Sequence, residues 1–581
     1  MTSDATPDAT AQTGPTSTPA PTPSPQGTAV RTGDRLDGHG GDLAVAALQA
    51  HDVRAMFTLS GAHVFPLYDG AVKADPPLPI VDVRHEQTAV FAAEGLAKLT
   101  RTPGLAVVTA GPGVTNSISA ITTAHYNGSP LLVIGGRAPQ FRWGTGALQE
   151  MDHPPLLTTV TKHAATVPSA ADILPAVDDA LRQASSPHRG PVFLDVAMDH
   201  LFSRAEVDLP SFDRPAPVEP DADALDAVAA RLAAARKPVL VLGSDVWTDS
   251  AEQAARELAE QFGLPVIANG MGRGILCPAH PNLVTRARSA AFKAADLVVV
   301  VGTPLDFRLG YGQFGGADGS PADVVHLVDD SAQQAGHVTL AASAAGNLRL
   351  ILTGLAERLA TMGLSGEVKD WRTGLRATHD AAVAADRPLL TSDQDPIHPA
   401  RIYGELNAQL ADDAVVIGDG GDFVSFAGRF VEPGRAGRWL DPGPFGCLGT
   451  GLGYAIAARL AHPSAQVVLL LGDGAAGFSL MDVDTLVRHK LPVVMIVGNN
   501  GIWGLEKFPM QMLYGYDVVA ELTPGTRYDQ VVQALGGGGE LVTRPGDLGP
   551  ALRRAFDSGV PYCVNVLTDP TVAYPRSTTG I

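Results

Sequence analysis

Seven strand-length runs rich in Val, Leu and Ile recur along the chain: Leu105–Thr109, Leu131–Ile134, Val239–Leu242, Leu297–Val301, Val415–Ile417, Val467–Leu471 and Val493–Val497. Their apolarity is continuous rather than alternating, and helical stretches separate them. A strand that is apolar on both faces must be covered on both, which is the condition of a parallel sheet between helix layers. The predicted fold class is therefore α/β, with three doubly wound parallel-sheet domains. Pro- and Asp-rich breaks at 209–221 and 381–398 divide the chain into units 37–208, 219–365 and 390–581. Ligands of such sheets bind beyond the carboxyl ends of the strands, so the loops after these runs are where chemistry is expected.

Composition narrows the function classes. Of 581 residues, 45% are hydrophobic and 18% charged, enough apolar matter for several real cores. No apolar run approaches the ~20 residues of a membrane span. A balance of 42 Lys+Arg against 61 Asp+Glu gives a net charge of −19, which argues against nucleic acid and anionic membrane as partners. Cys277, Cys447 and Cys563 form no CxxC and no disulfide framework, as expected of a cytoplasmic protein. Residues 1–36 are mostly Thr, Pro, Ala, Ser and Asp, lack an apolar signal core, and are predicted to be a disordered tail.

The most informative segments are Gly472-Asp-Gly-Ala-Ala-Gly-Phe-Ser479 and Asn499-Asn-Gly-Ile-Trp503, each directly after an apolar run. Glycines let a backbone approach phosphate, and Asp473 and Asn500 bring hard oxygen ligands suited to Mg²⁺. Gly418-Asp-Gly420 has the same look, but the residue 27 positions after Asp419 is Gly446, whereas the one 27 after Asp473 is Asn500. That pairing resembles the signature of thiamine-diphosphate enzymes. The resemblance implies Mg²⁺ held by Asp473, Asn500 and the backbone carbonyl of Ile502. It implies thiamine diphosphate lined by Gly420, Gly421, Asp422, Phe423, Gly446, Leu448, Gly472, Gly474, Ala475, Trp503 and Gly504. Leu448 falls where the family places a bulky residue under the bent cofactor.

Arg84-His-Glu-Gln-Thr-Ala-Val-Phe-Ala-Ala-Glu-Gly95 followed by Thr109-Ala-Gly-Pro-Gly-Val-Thr-Asn116 resembles the pyrimidine-binding domain of the same enzymes. It implies Glu86 as the carboxylate that activates the cofactor from its pyrimidine nitrogen, with Pro112, Gly113 and Asn116 beside it. Glu94, on the same predicted helix, reads as structural. In this family the site lies between subunits, so a homodimer or homotetramer is implied.

The central unit resembles that of the acetolactate synthase, oxalyl-CoA decarboxylase and 2-hydroxyacyl-CoA lyase group. The likeness is carried by Gly270-Met-Gly-Arg-Gly274, Ala287-Arg-Ser289 and Gly302-Thr-Pro-Leu-Asp306. It implies an adenine nucleotide, ADP in preference to FAD, held by Arg189, Gly270, Arg288 and Asp329 or Asp330. Within the group, Gly146-Ala-Leu-Gln-Glu-Met-Asp152 resembles the CoA-using branch, with Gln149 toward the substrate. Pro509 stands where acetolactate synthases carry Trp. Glu506 stands where they carry an apolar residue, and a carboxylate there suits removal of a 2-hydroxyl proton. The expected function is cleavage of a 2-hydroxyacyl-CoA to an aldehyde or ketone plus formyl-CoA. The alternatives are acetolactate synthase, oxalyl-CoA decarboxylase and an inactive nucleotide-binding relic. Residues 573–581 are read either as a lid over CoA or as a frayed end.

Overall fold

The computed structural model describes residues 29–316, 319–572 and 574. All seven apolar runs lie in three parallel sheets. The N-terminal sheet runs, in spatial order, Ile80–Asp82, Met56–Thr58, Gly104–Val108, Leu131–Arg137, Pro191–Ala197 and His163–Val167. The C-terminal sheet runs Trp439–Leu440, Val415–Asp419, Val467–Gly472, Val494–Asn499, Tyr562–Leu567 and Gly538–Val542. Numbered within each sheet, both have the order 2-1-3-4-6-5. The central sheet runs Val266–Ala268, Pro238–Leu242, Leu297–Val301, Asp323–Val328 and Ala342–Ala345, the order 2-1-3-4-5. Each sheet therefore reverses its order between its first and third strands, and a crevice opens there at the carboxyl ends.

Two boundaries differ from the sequence reading. Val30–Thr32 and Arg35–His39 pair as antiparallel strands, and the second also pairs with Arg204–Asp208. Ordered structure thus begins before residue 37, because this small sheet closes the end of the N-terminal domain. Residues 1–28 and the expected lid, except Tyr574, lie outside the described residues. The second break is not a simple linker either. Its first half belongs to a 24-residue helix, Glu367–Leu390. Asp386 on that helix pairs with Arg286 of the central domain and, at 2.6 Å, with Arg429 of the C-terminal domain. The helix braces the two domains.

The N- and C-terminal domains share one core. Helix Glu86–Thr100 lies against helix Thr450–Ala461, and Gly453 makes the approach possible: a Cβ there would sit 2.6 Å from that of Phe91. Glu94, fully buried in this seam, accepts hydrogen bonds from Tyr454 Oη (2.9 Å), Asn127 Nδ2 (2.8 Å) and Ser129 Oγ (3.1 Å). A buried carboxylate so satisfied is a structural one, as the sequence suggested.

Candidate functional site

The crevice of the C-terminal sheet is a cavity of about 490 Å³. Every C-terminal residue named from the sequence as a cofactor or metal contact lines it, as does Glu506. Three loops following three strands build it. After Val415–Asp419 come Gly420, whose φ of +111° suits only glycine, and Gly421. After Val467–Gly472 comes the helix Asp473–Ser479, whose first residues Asp473, Gly474 and Ala475 line the cavity. After Val494–Asn499 come Asn500, Gly501 and Ile502. Trp503 folds back over Gly474, where a Cβ would lie 2.5 Å from the indole.

Asp473 is buried. Its Oδ2 accepts from Gly501 N–H at 2.7 Å and its Oδ1 from Gly474 N–H at 3.0 Å. Burial pushes its carboxyl up to about 6 despite these bonds. Asn500 Oδ1 accepts from Ile502 N–H at 3.2 Å. An acid, an amide oxygen and a nearby carbonyl form an all-oxygen donor set, and the glycine loops offer close backbone approach. The lining fits a diphosphate with a divalent cation.

Asp419, of the look-alike motif, has a different task. It is fully buried, and its two carboxylate oxygens accept from Gly449 N–H (3.1 Å) and Gly451 N–H (2.9 Å). It brackets the turn that carries Leu448 into the cavity wall, and burial pushes it up to about 6. The sequence contained no signal for this role.

The N-terminal set gathers elsewhere. Glu86 is buried at the start of its helix, where the His85 side chain caps Gln87 N–H. Asn116 Nδ2 donates to Glu86 Oε2 at 3.0 Å. Pro112, Gly113 and Asn116 open the helix Pro112–Tyr126, and Pro112 and Asn116 are exposed. Gln149 sits at φ +60°, a left-handed conformation that costs a non-glycine residue energy. Its Oε1 accepts from Thr109 Oγ1 at 3.3 Å, and Thr109 Oγ1 also meets His63 Nδ1 at 3.0 Å. His63 was missed in the sequence, because one imidazole in Ala62-His-Val64 carries no motif. None of these residues lines the 490 Å³ cavity. In one chain the N-terminal set stays out of the cavity lining, although Gln87, next to Glu86, reaches the Leu448 carbonyl at 3.5 Å.

Glu506 is exposed at the cavity mouth, and Lys507 pairs with Glu521 rather than with it. The burial that would favour a catalytic role is not met in the single chain.

The nucleotide expected in the central domain does not fit. Arg189 is bound to Asp249 at 2.7 Å, and Asp329 is buried against His188 at 2.9 Å. Asp330 caps the turn Ser331–Gln333 through Ala332 N–H. Gly270 packs on Ser244, and Arg288 donates to the Arg308 carbonyl and lies over Phe292. These candidates are spent within the fold.

Comparison with known proteins agrees with the cofactor loops. Three family models match in order: the thiamine pyrophosphate enzyme N-terminal TPP binding domain over residues 38–156, the central domain over 225–355 and the C-terminal TPP binding domain over 419–566. The chain is 50% identical over 548 residues to an acetolactate synthase large subunit of Mycobacterium tuberculosis, covering 93% of this chain and 97% of that protein. It is 34% identical over 575 residues to a 2-hydroxyacyl-CoA lyase 2 of Caenorhabditis elegans, covering 90% and 87%. The human 2-hydroxyacyl-CoA lyase 2 is 33% identical over 577 residues, covering 91% and 90%. The chain belongs to the thiamine pyrophosphate-dependent enzymes.

Proposed function

We propose that this enzyme is a carbon–carbon lyase that cleaves a 2-hydroxyacyl-CoA into an aldehyde or ketone and formyl-CoA. The observation that carries the reading is the outer wall of the cavity. Asn269, Phe307 and Arg308 of the central domain line it together with the diphosphate loops. Asp306 fixes the Arg308 guanidinium through a contact of 2.7 Å. The Arg308 guanidinium, paired with Asp306 through Nε and Nη2 but not Nη1, and the exposed Phe307 ring suit the phosphates and adenine of CoA. Two small ketoacids would engage the guanidinium through a carboxylate but leave the aromatic ring without a partner.

Bound thiamine diphosphate supplies a carbon nucleophile and an electron sink. Asp473, Asn500 and the Ile502 carbonyl would hold Mg²⁺ and, through it, the diphosphate. Leu448, in the cavity wall, would pack under the cofactor. Glu86 would hydrogen-bond the pyrimidine ring and so set its proton state. Gln149 orients the thioester. Glu506 takes the 2-hydroxyl proton as the C1–C2 bond breaks.

Glu86 and Gln149 reach the cavity from a second copy of the chain, so the working unit is a homodimer or a homotetramer. Exposed apolar side chains on both faces support this: Leu148 and Phe141 beside Gln149, and Met512, Leu513 and Val519 beyond Glu506. Among the described residues no helix is long and apolar enough to cross a membrane. Free Cys277, Cys447 and Cys563 suit a reducing compartment, and we place the enzyme in the cytoplasm.

The second reading is acetolactate synthase, favoured by the 50% identity to a chain of that name. Pro509, where those enzymes carry Trp, weighs against it. The test is mass spectrometry of the purified protein with thiamine diphosphate and Mg²⁺, given 2-hydroxyisobutyryl-CoA, a linear 2-hydroxyacyl-CoA, or pyruvate. Cofactor-dependent formyl-CoA is expected. Acetolactate without formyl-CoA would replace the lyase by the synthase.

A further inference from the structure

The crevice of the central sheet lies between Pro238–Leu242 and Leu297–Val301, where the strand order reverses. A nucleotide bound there would rest its phosphates on the loop and helix after the first strand. In this chain that helix is Ser244–Thr248, with Asp245 in its first turn and Asp249 at its end. A carboxylate stands where the phosphates would go.

The loops have also closed on each other. A Cβ on Gly243 would sit 2.3 Å from the Gly302 carbonyl, and one on Gly302 would sit 2.9 Å from the Cβ of Asp245. The space left is about 50 Å³, against roughly 300–1,000 Å³ for a small-molecule site.

Two cations from the N-terminal domain fill what remains. His188 Nδ1 lies 2.9 and 3.0 Å from the two oxygens of Asp329. Arg189 lies 2.7 Å from Asp249 and 3.7 Å from Asp329. Ligand atoms of His188, Asp245 and Asp329 fall within 4.8 Å of one another. Burial works against the His188 imidazolium, but the hydrogen bond to Asp329 and the field of Asp245 outweigh it and raise its pKa to about 8. At neutral pH it is a cation against the Asp329 carboxylate, while burial raises Asp245 to about 7. Asp329, the acid after the fourth strand, is the natural partner of a ribose, and it is already engaged.

We infer that the central domain takes no adenine nucleotide, and that His188 and Arg189, paired with Asp245, Asp249 and Asp329, form an internal lock that clamps it to the N-terminal domain in the nucleotide's place. The inference stands apart from the choice of substrate, since its readout is nucleotide content and domain stability.

The experiment uses the full chain saturated with thiamine diphosphate and Mg²⁺. The protein is denatured, and the supernatant is resolved by chromatography for FAD and ADP. Only traces are expected, with a colourless protein before denaturation. In parallel, ADP and FAD are titrated while the thermal midpoint is followed, and no saturable rise is expected. Stoichiometric release of either nucleotide, or a saturable rise, overturns the inference. The lock itself is tested by a double-mutant cycle of Arg189→Ala and Asp249→Ala on the midpoint. A double variant little worse than either single one supports the lock, and additive losses overturn it.

Discussion

The N- and C-terminal sheets have the same strand order and the same crevice, yet the crevices are furnished in opposite ways. In the C-terminal sheet, glycines and short polar side chains leave an open cavity with Asp473 and Asn500 on its floor. In the N-terminal sheet, His63, Thr109 and Gln149 bond to one another across the corresponding place, with buried Glu86 alongside. One fold thus yields a receptor for a charged group and a surface bearing acid–base and hydrogen-bonding groups. The difference lies in side-chain volume at the strand ends, not in topology. On the proposed function, the C-terminal half binds and the N-terminal half activates.

The strongest way to break this division is Glu86→Ala. Loss of the activating carboxylate should lower kcat by about 10²–10⁴-fold. Thiamine diphosphate and Mg²⁺ affinity, measured by calorimetry, should stay near the native value. Loss of cofactor binding instead would mean that the N-terminal half also holds the cofactor, and the division would fall.

Asp473→Ala should do the reverse. Affinity for Mg²⁺ and thiamine diphosphate should drop together, by about 100-fold or more, and activity should be lost with them. If each half-site belongs to a different copy, as proposed, mixing Glu86→Ala and Asp473→Ala protomers after dissociation should restore activity, through sites with one intact half from each parent. Continued silence of the mixture would place both halves in one chain.

Much of this plan was legible in the sequence because parallel strands announce themselves by continuous apolarity. Val467–Leu471 and Val493–Val497 also fixed where their loops must emerge, and the spacing of Asp473 and Asn500 did the rest. The edge strands were not legible. Trp439–Leu440 is two residues long, and Gly538–Val542 contains two glycines and a glutamate. The first is apolar and buried but too short to stand out, and the second lacks the composition of a buried strand. The helix Glu367–Leu390 was missed because its Pro388 and its acidic residues resemble a linker. The central domain misled for another reason. Gly270, Arg288 and Asp329 occupy positions expected of nucleotide contacts, but sequence does not reveal which charge has already found a partner inside the fold.

A smaller effect is expected at Gln149. Its left-handed backbone and its bond to Thr109 hold the amide in place, and Gln149→Ala removes the side chain without touching the cofactor loops. A loss of about tenfold or more in kcat/KM is expected if the amide orients substrate by a hydrogen bond worth ~1.5 kcal/mol. An unchanged kcat/KM with an altered melting midpoint would make Gln149 structural.

The smallest and most discriminating test is His63→Gln. His63 meets Thr109 through Nδ1 and the Leu148 backbone as well, so it steadies both sides of Gln149. Burial lowers its pKa below the ordinary imidazole range; the Leu148 bond opposes this, and the nearby His153 adds to it. The ring is therefore neutral at neutral pH and becomes charged only as the solution turns acid. A neutral hydrogen bond is worth about 1 kcal/mol, so the variant should lose about fivefold at neutral pH. In acid the native enzyme should lose activity as His63 takes up a proton and the network around Gln149 is disturbed. The variant has no proton to gain there, so its profile should be flatter on the acid side and should converge on the native one. Parallel profiles would show that His63 only fills space, and that the N-terminal crevice activates through Glu86 alone.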